Sequence, residues 1–311
     1  MPGPAAWSTR SRRLLALAAS VLSIGIRPDL ARAQDQHPNE ALAFDRPESW
    51  ALEYFASSTL LAGLETPRRR EPWSVYFGAE VEWIPSISDG DRYVGIDGTK
   101  QEDLNKAPFY LRPRFIIGLP HEFAFTVAFD PPIRTFGIKP KLLALAIERP
   151  IVEAGAWTIG GRIAGQVGTV NGAYTCPKSV LAYPPGSVNN SYGCDGESSD
   201  TARLDDVGGE VSLAHAGLGR WPIAPHVAVE VNYMNLAFQV HAPTFGFIDT
   251  TRYTTHGVTV AGEVGFSYAL GPRFGLSADY LYTPLSISRA STGTYHLPFY
   301  TVRAMLTYRI K

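Results

Sequence analysis

Charged side chains recur at alternate positions inside otherwise apolar runs of this 311-residue chain. Glu80 and Glu82 lie in one run, Arg112 and Arg114 in the next, and Arg162, Glu210, Glu230, Glu263, Asp279 and Arg303 in later ones. Each has an apolar residue beside it in sequence, as in Val229-Glu230-Val231. A period of two is the period of a β-strand, so the charges fall on one face and the apolar residues on the other. Acids and bases gathered on one enclosed face must pair or be hydrated. Two kinds of chemistry follow. A closed ion-pair network would seal the interior. Opposed acidic and basic walls would instead set a transverse field that selects small polar or charged solutes.

Hydrolytic chemistry has weaker support. His215, His241 and His256 fall near strand ends, with Asp249 between two of them, but no spacing singles out an acid–base pair. Ser212 and His215 lie three apart on one strand and therefore on opposite faces, so they cannot cooperate. Two loops are acidic, around Asp89, Asp91, Asp97, Glu102 and Asp103 and around Asp195, Glu197, Asp200, Asp205 and Asp206. Neither has calcium-loop spacing, and both read as solvated loop charge. The pairs Gly160-Gly161 and Gly208-Gly209 sit inside strand patterns with no following helix, which fits close packing and not phosphate binding. The expectation is a non-enzymatic protein with no cofactor and no metal.

The elements that position the charged face are ten alternating segments: 73–83, 109–119, 122–130, 138–148, 152–170, 204–219, 226–240, 253–270, 273–284 and 299–311. Their connections are alternately long and short, and Trp or Tyr clusters near their ends (Trp83, Trp157, Tyr233, Tyr282, Tyr300). That loop asymmetry and those girdles belong to a membrane barrel. Residues 50–64 fit a short amphipathic helix or an extra strand. The first places a segment at the periplasmic mouth of a ten-strand barrel. The second requires twelve strands. Cys176 and Cys194, the only cysteines, lie in the longest loop, 171–203, and are expected to form a disulfide.

Residues 1–33 have the parts of an export signal in order. Arg10, Arg12 and Arg13 precede an apolar run over 14–26, and Ala31-Arg32-Ala33 is a small-x-small cleavage site. Cleavage would remove five arginines and one aspartate, leaving 23 basic and 28 acidic residues and a net charge of −5. A mildly acidic chain argues against nucleic-acid binding.

The last segment carries a family resemblance. Tyr300, Val302, Ala304, Leu306, Tyr308 and Ile310 alternate with Thr301, Arg303, Met305, Thr307 and Arg309. This resembles the closing strand of Gram-negative outer-membrane β-barrels, matching at Arg303, Tyr308 and Ile310. It departs from the pattern at Met305, where glycine is usual, at Ile310, where phenylalanine is usual, and in the extra Lys311. The resemblance covers about 73–311 and implies an all-β, antiparallel up-and-down transmembrane barrel, with 34–72 as a short N-terminal periplasmic segment or plug. It implies residence in the bacterial outer membrane, with membrane lipid and the barrel assembly machinery as partners. The expected role is a passive channel or transporter for small polar solutes, or a sealed structural or surface-binding barrel acting through its external loops.

Overall fold

The computed structural model describes residues 39–217 and 223–311. The export signal expected over 1–33 lies outside them.

Ten antiparallel strands close into a barrel: β1 (Val75–Trp83), β2 (Phe109–Gly118), β3 (Ala124–Asp130), β4 (Lys139–Ala154), β5 (Trp157–Gly172), β6 (Asp200–His215), β7 (Ile223–Gln239), β8 (Arg252–Ala269), β9 (Phe274–Thr283) and β10 (Phe299–Arg309). Each pairs with its neighbours in sequence, and β10 pairs with β1 to complete the ring. The alternation read from the sequence is the pleat of these strands. Along β7, Val227, Val229, Val231 and Tyr233 are exposed, while Glu230 and Asn232 are buried. A belt of exposed Val, Leu, Ile and Phe runs round the outside, bounded by Trp83, Phe109 and Tyr282 at one end and by Trp157 and Phe274 at the other. This is a transmembrane β-barrel of the outer-membrane type, its apolar face outward and its polar face inward.

Strand ends differ from the sequence reading mainly at β4. Arg149-Pro150 suggests a turn, yet the strand continues to Ala154 through an irregularity between Pro150 and Val152. A bulge tolerates a residue that cannot donate to the ladder. The turn comes later, where Gly155 takes a φ of 61°.

Residues 50–64 do not form a barrel strand, so the ring has ten strands and not twelve. Helix α1 (Pro47–Ser57) starts with proline at its first position, where the missing N–H costs nothing. It is buried on nearly all sides and not amphipathic, because it sits inside the ring. Trp50, Leu52 and Tyr54 join one core with Leu204, Met234, Leu236, Leu285, Ile287 and Phe299. The Trp50 indole donates to Leu297 O at 2.9 Å and the Tyr54 hydroxyl to Pro85 O at 2.8 Å. These partners place the helix at the mouth bearing the long loops, and not at the short-turn, periplasmic mouth expected from the sequence. Asn39–Ala41 lies at the same mouth, parallel to Arg252–Thr254 of β8. From there the chain passes through the helix and down the lumen to β1 at the short-turn end.

The long loops fold over this mouth. Cys176 and Cys194 are disulfide-bonded, with Cα atoms 5.7 Å apart. They pack with Val240 and Ala242. The Asp200 carboxylate accepts hydrogen bonds from the Tyr174, Thr175 and His241 amides and from the Ser198 hydroxyl. Replacing both cysteines with serine is expected to remove about 3 kcal/mol of loop stability on the chain-entropy model. Limited proteolysis should then cut faster within 177–193 while the barrel keeps its heat-modifiable gel mobility. An unchanged cutting rate would mean that the other contacts alone hold the loop.

Candidate functional site

All ten charged residues singled out by period face the lumen and are buried. The strand register aligns some of them in rows. His226, Gly265, Asp279, Arg303, Glu82 and Tyr110 face one another in turn across β7, β8, β9, β10, β1 and β2.

Three arginine-centred clusters result. Glu80 Oε2 accepts from Arg112 Nε at 3.1 Å and from Arg114 Nε at 2.6 Å. Arg162 donates to Glu148 at 2.7 Å and to Glu210 at 2.6 Å. Arg303 makes a two-pronged contact with Asp279, 2.9 Å on each arm, and lies 3.3 Å from Glu263. Glu82 and Glu230 join no ion pair among the described residues. They are part of an acidic surplus in the lumen.

The clusters are not arranged around open space. Their remaining donors grip the backbone of the segment that threads the lumen. Arg112 donates to Thr59 O at 2.7 Å and Leu60 O at 2.9 Å, Arg114 to Ala62 O at 3.1 Å, and Arg162 to Glu65 O at 3.1 Å. In return Glu263 accepts from Gly63 N at 3.2 Å and Asp279 from Leu64 N at 3.1 Å. A Cβ at Gly63 would stand 2.9 Å from a Glu263 oxygen and 3.2 Å from Arg162, so a side chain here would push these two paired groups aside. Below it, Glu65 pairs with Arg70. Residues 58–70 therefore occupy the lumen at the level of these clusters, and a cavity of about 420 Å³ remains at the short-turn end beside Glu65, Arg68 and Arg69.

Some partners escaped the period argument. Glu148 lies on β4, whose facing is ambiguous in the sequence, although its parity against Leu143, Leu145 and Ile147 could have placed it inward. His226 shares parity with Glu230 but begins its strand, where an isolated histidine reads as a rim residue. The backbone of 59–65 carries no side-chain signal at all.

The other candidates scatter. His215 packs on Trp157 at the short-turn end, His256 lies beside Tyr233, and Asp249 accepts from Tyr192 and Thr251 in the loops. Ser212 is buried inside while His215 is at the opposite face, as period two requires.

At the loop mouth the space is apolar. A cavity of about 170 Å³ is lined by Tyr54 and Phe55 of α1, by Ile138, Val170 and Leu204, and by Tyr110. A second, of about 60 Å³, shares Phe55, Leu104 and Tyr174 with it. The first abuts a break in the wall. Strand β3 ends at Asp130, so residues 109–113 of β2 have no β3 partner, and Pro108 and Tyr110 face Ile138 and Pro140 across the cavity. Nearby in the loops, burial pushes the Glu102 carboxyl up to about 7, against the opposing pull of Lys100 2.7 Å away.

No family model and no curated protein matches the chain. Among solved structures, the outer membrane protease OmpT from Escherichia coli is 8% identical, with a TM-score of 0.42 over 80% of this chain and 100% of that one. The toluene transporter TodX from Pseudomonas putida is 12% identical, with a TM-score of 0.33 over 88% and 81%. Neisserial surface protein A is 9% identical, with a TM-score of 0.30 over 76% and 97%. Each likeness is too distant to lend a role, and the barrel assignment rests on the strand pairing of this chain.

Two outcomes follow from this geometry. Replacing Arg112 with glutamine strips Glu80 of one cation and weakens the hold on Thr59 and Leu60. Breaking a buried pair of this kind costs about 3–5 kcal/mol, which should appear as a lower midpoint in urea unfolding. The exposed Arg309–Glu71 pair serves as control, with an expected cost of about 0–1 kcal/mol. A carboxyl that binds its proton more tightly in the folded loop contributes stability that is complete below the ordinary value of 4.5 and is lost as pH rises through about 7. Amide exchange in residues 93–106 should therefore be slower at pH 5 than expected from its pH 8 rate once intrinsic exchange is corrected. Glu102→Gln should flatten that difference.

Proposed function

We propose that the chain is a non-catalytic barrel of the bacterial outer membrane, stoppered by its own residues 58–70, that binds a small apolar molecule at its loop mouth. The observation that carries this reading is the pairing of an occupied polar lumen with an apolar cavity above it. Guanidinium groups occupy the route a polar solute would take. Above those guanidiniums, the cavity at the loop mouth is lined by Tyr54, Phe55, Val170 and Leu204 and adjoins the gap between β2 and β4. An apolar solute partitions into the surrounding lipid and can approach that gap from the side. Exposed Ile133 and Phe136 in the adjoining loop present the same chemistry to the membrane. A cavity of comparable size lined by apolar side chains binds benzene in a soluble protein.

The passive polar channel expected from the sequence is compatible with this architecture only if residues 58–70 leave the lumen. Their four hydrogen bonds from Arg112, Arg114 and Arg162 oppose that. His215, His256 and Asp249, weighed for a hydrolase, lie apart, beside Trp157, Tyr233 and Tyr192.

Two measurements test the reading together. The purified, folded chain in a planar bilayer is expected to be electrically silent; discrete, ion-selective steps whose size changes on Arg112 substitution would establish an open pore instead. Benzene is expected to raise the thermal midpoint of the folded chain, and Leu204→Trp, which fills the cavity, should abolish the rise. Equal shifts in both proteins would remove the cavity from the account.

A further inference from the structure

We propose that His226, Glu263 and Asp279 form a binding site for a divalent first-row transition-metal cation of the zinc type. The three side chains come from adjacent strands β7, β8 and β9. One donor atom from each lies within 4.8 Å of the other two, and all three residues are buried. The register explains their approach. His226 and Asp279 stand on either side of Gly265 in one row, both inward. With no side chain on Gly265, the imidazole and the carboxylate meet across it; a Cβ there would come within 2.7 Å of Asp279 Cβ. Glu263 reaches the same point from two residues along β8.

The second observation is the state of the imidazole itself. His226 is only 4% exposed, and neither ring nitrogen has a hydrogen-bond partner. Buried polar groups are ordinarily satisfied. A ring nitrogen with no protein partner and two carboxylates in front of it is a ligand position. An oxygen of Glu263, Oε2, likewise lacks a hydrogen bond.

The donor set decides the class of ion. Imidazole favours zinc, copper, nickel or iron over calcium and magnesium, which prefer all-oxygen shells. Donors about 2.1 Å from a tetrahedral ion stand about 3.4 Å apart, so modest side-chain rotation closes the remaining distance. Arg303 is the competing charge. It holds both Asp279 oxygens and lies 3.3 Å from Glu263. Counted over the lumen, the buried acids Glu65, Glu80, Glu82, Glu148, Glu210, Glu230, Glu263 and Asp279 outnumber the buried guanidiniums of Arg70, Arg112, Arg114, Arg162 and Arg303, eight to five. Asp279 Oδ2 accepts from both Arg303 and Leu64 N, so the position open to an ion is the second lone pair of Oδ1, since a carboxylate has about four acceptor positions.

Cobalt(II) is the probe, because its visible absorption reports four-coordinate ligation. Histidine is common at the surface, so the chain first receives alanine at its other six histidines. The folded protein is expected to take up one cobalt per chain, to lose it to zinc, and to keep it in a hundredfold excess of magnesium. His226→Ala in the same background should weaken binding by about tenfold or more. Absence of the cobalt spectrum in the starting protein, or the same spectrum and affinity in His226→Ala, would overturn the site. Glu263→Gln is the second variant, for use if His226→Ala loses the folded gel mobility. Unaltered cobalt binding there is equally fatal to the proposal.

Discussion

A polypeptide that runs extended through the inside of a barrel has no strand beside it to take its hydrogen bonds. That constraint governs the interior. Buried carbonyls and amides have to be satisfied from somewhere, and here the wall supplies them. Arginine suits the task because one planar guanidinium carries five donors in a fixed fork. Arg112 spends one on Glu80 and two on the carbonyls of Thr59 and Leu60. Arg162 divides itself among Glu148, Glu210 and the carbonyl of Glu65. The acids orient the guanidiniums, and two of them reach past the arginines to the amides of Gly63 and Leu64. Buried ion pairs contribute little net stability on their own account. Their effect is to fix where the segment lies and in what register it passes the wall.

The barrel was legible because its signal is periodic. Ten alternating runs, sorted loops and aromatic ends coincide with ten strands, most within two or three residues at each end. Where the period was obscured, the reading slipped. Pro150 looked like a turn because proline breaks a ladder, and only the third dimension shows the irregularity that absorbs it. Inward charges were legible by the same parity. The plug was not. Its attachment is made through backbone carbonyls, which every residue possesses, so no residue type announces it. The helix before it was visible as a helical spacing of Trp50 and Tyr54, but the choice of mouth depends on Pro85, Leu297 and Phe299, partners remote in sequence.

The two halves of the interior differ in kind. Below the helix the arginine-centred ion pairs surround the threaded segment, with a small apolar cluster of Leu61, Ala128, Ala144, Ala146 and Ala164 beside them. Above it the surfaces are aromatic and aliphatic, and the loops are cross-tied by the disulfide and by Asp200. The barrel thus has a gripped middle, an apolar cavity at the loop mouth and a polar one at the short-turn end.

The threaded path has a consequence for how such a molecule can come into being. Residues 58–70 pass through a ring whose members are joined to one another all the way round, with β10 against β1 as the last seam in sequence. Drawing this segment into a finished ring would mean parting the arginine pairs that line its path. Wrapping the ring around the thread avoids that step, since the arginines of β2 can meet Thr59 and Leu60 while the seam is still open. Chain order favours this, since the thread is made first and leads directly into β1. In topological terms the plug is a mandrel on which the barrel is wound, and the molecule that results can release its core only by parting its wall or by hauling the whole leading segment out through the loop mouth.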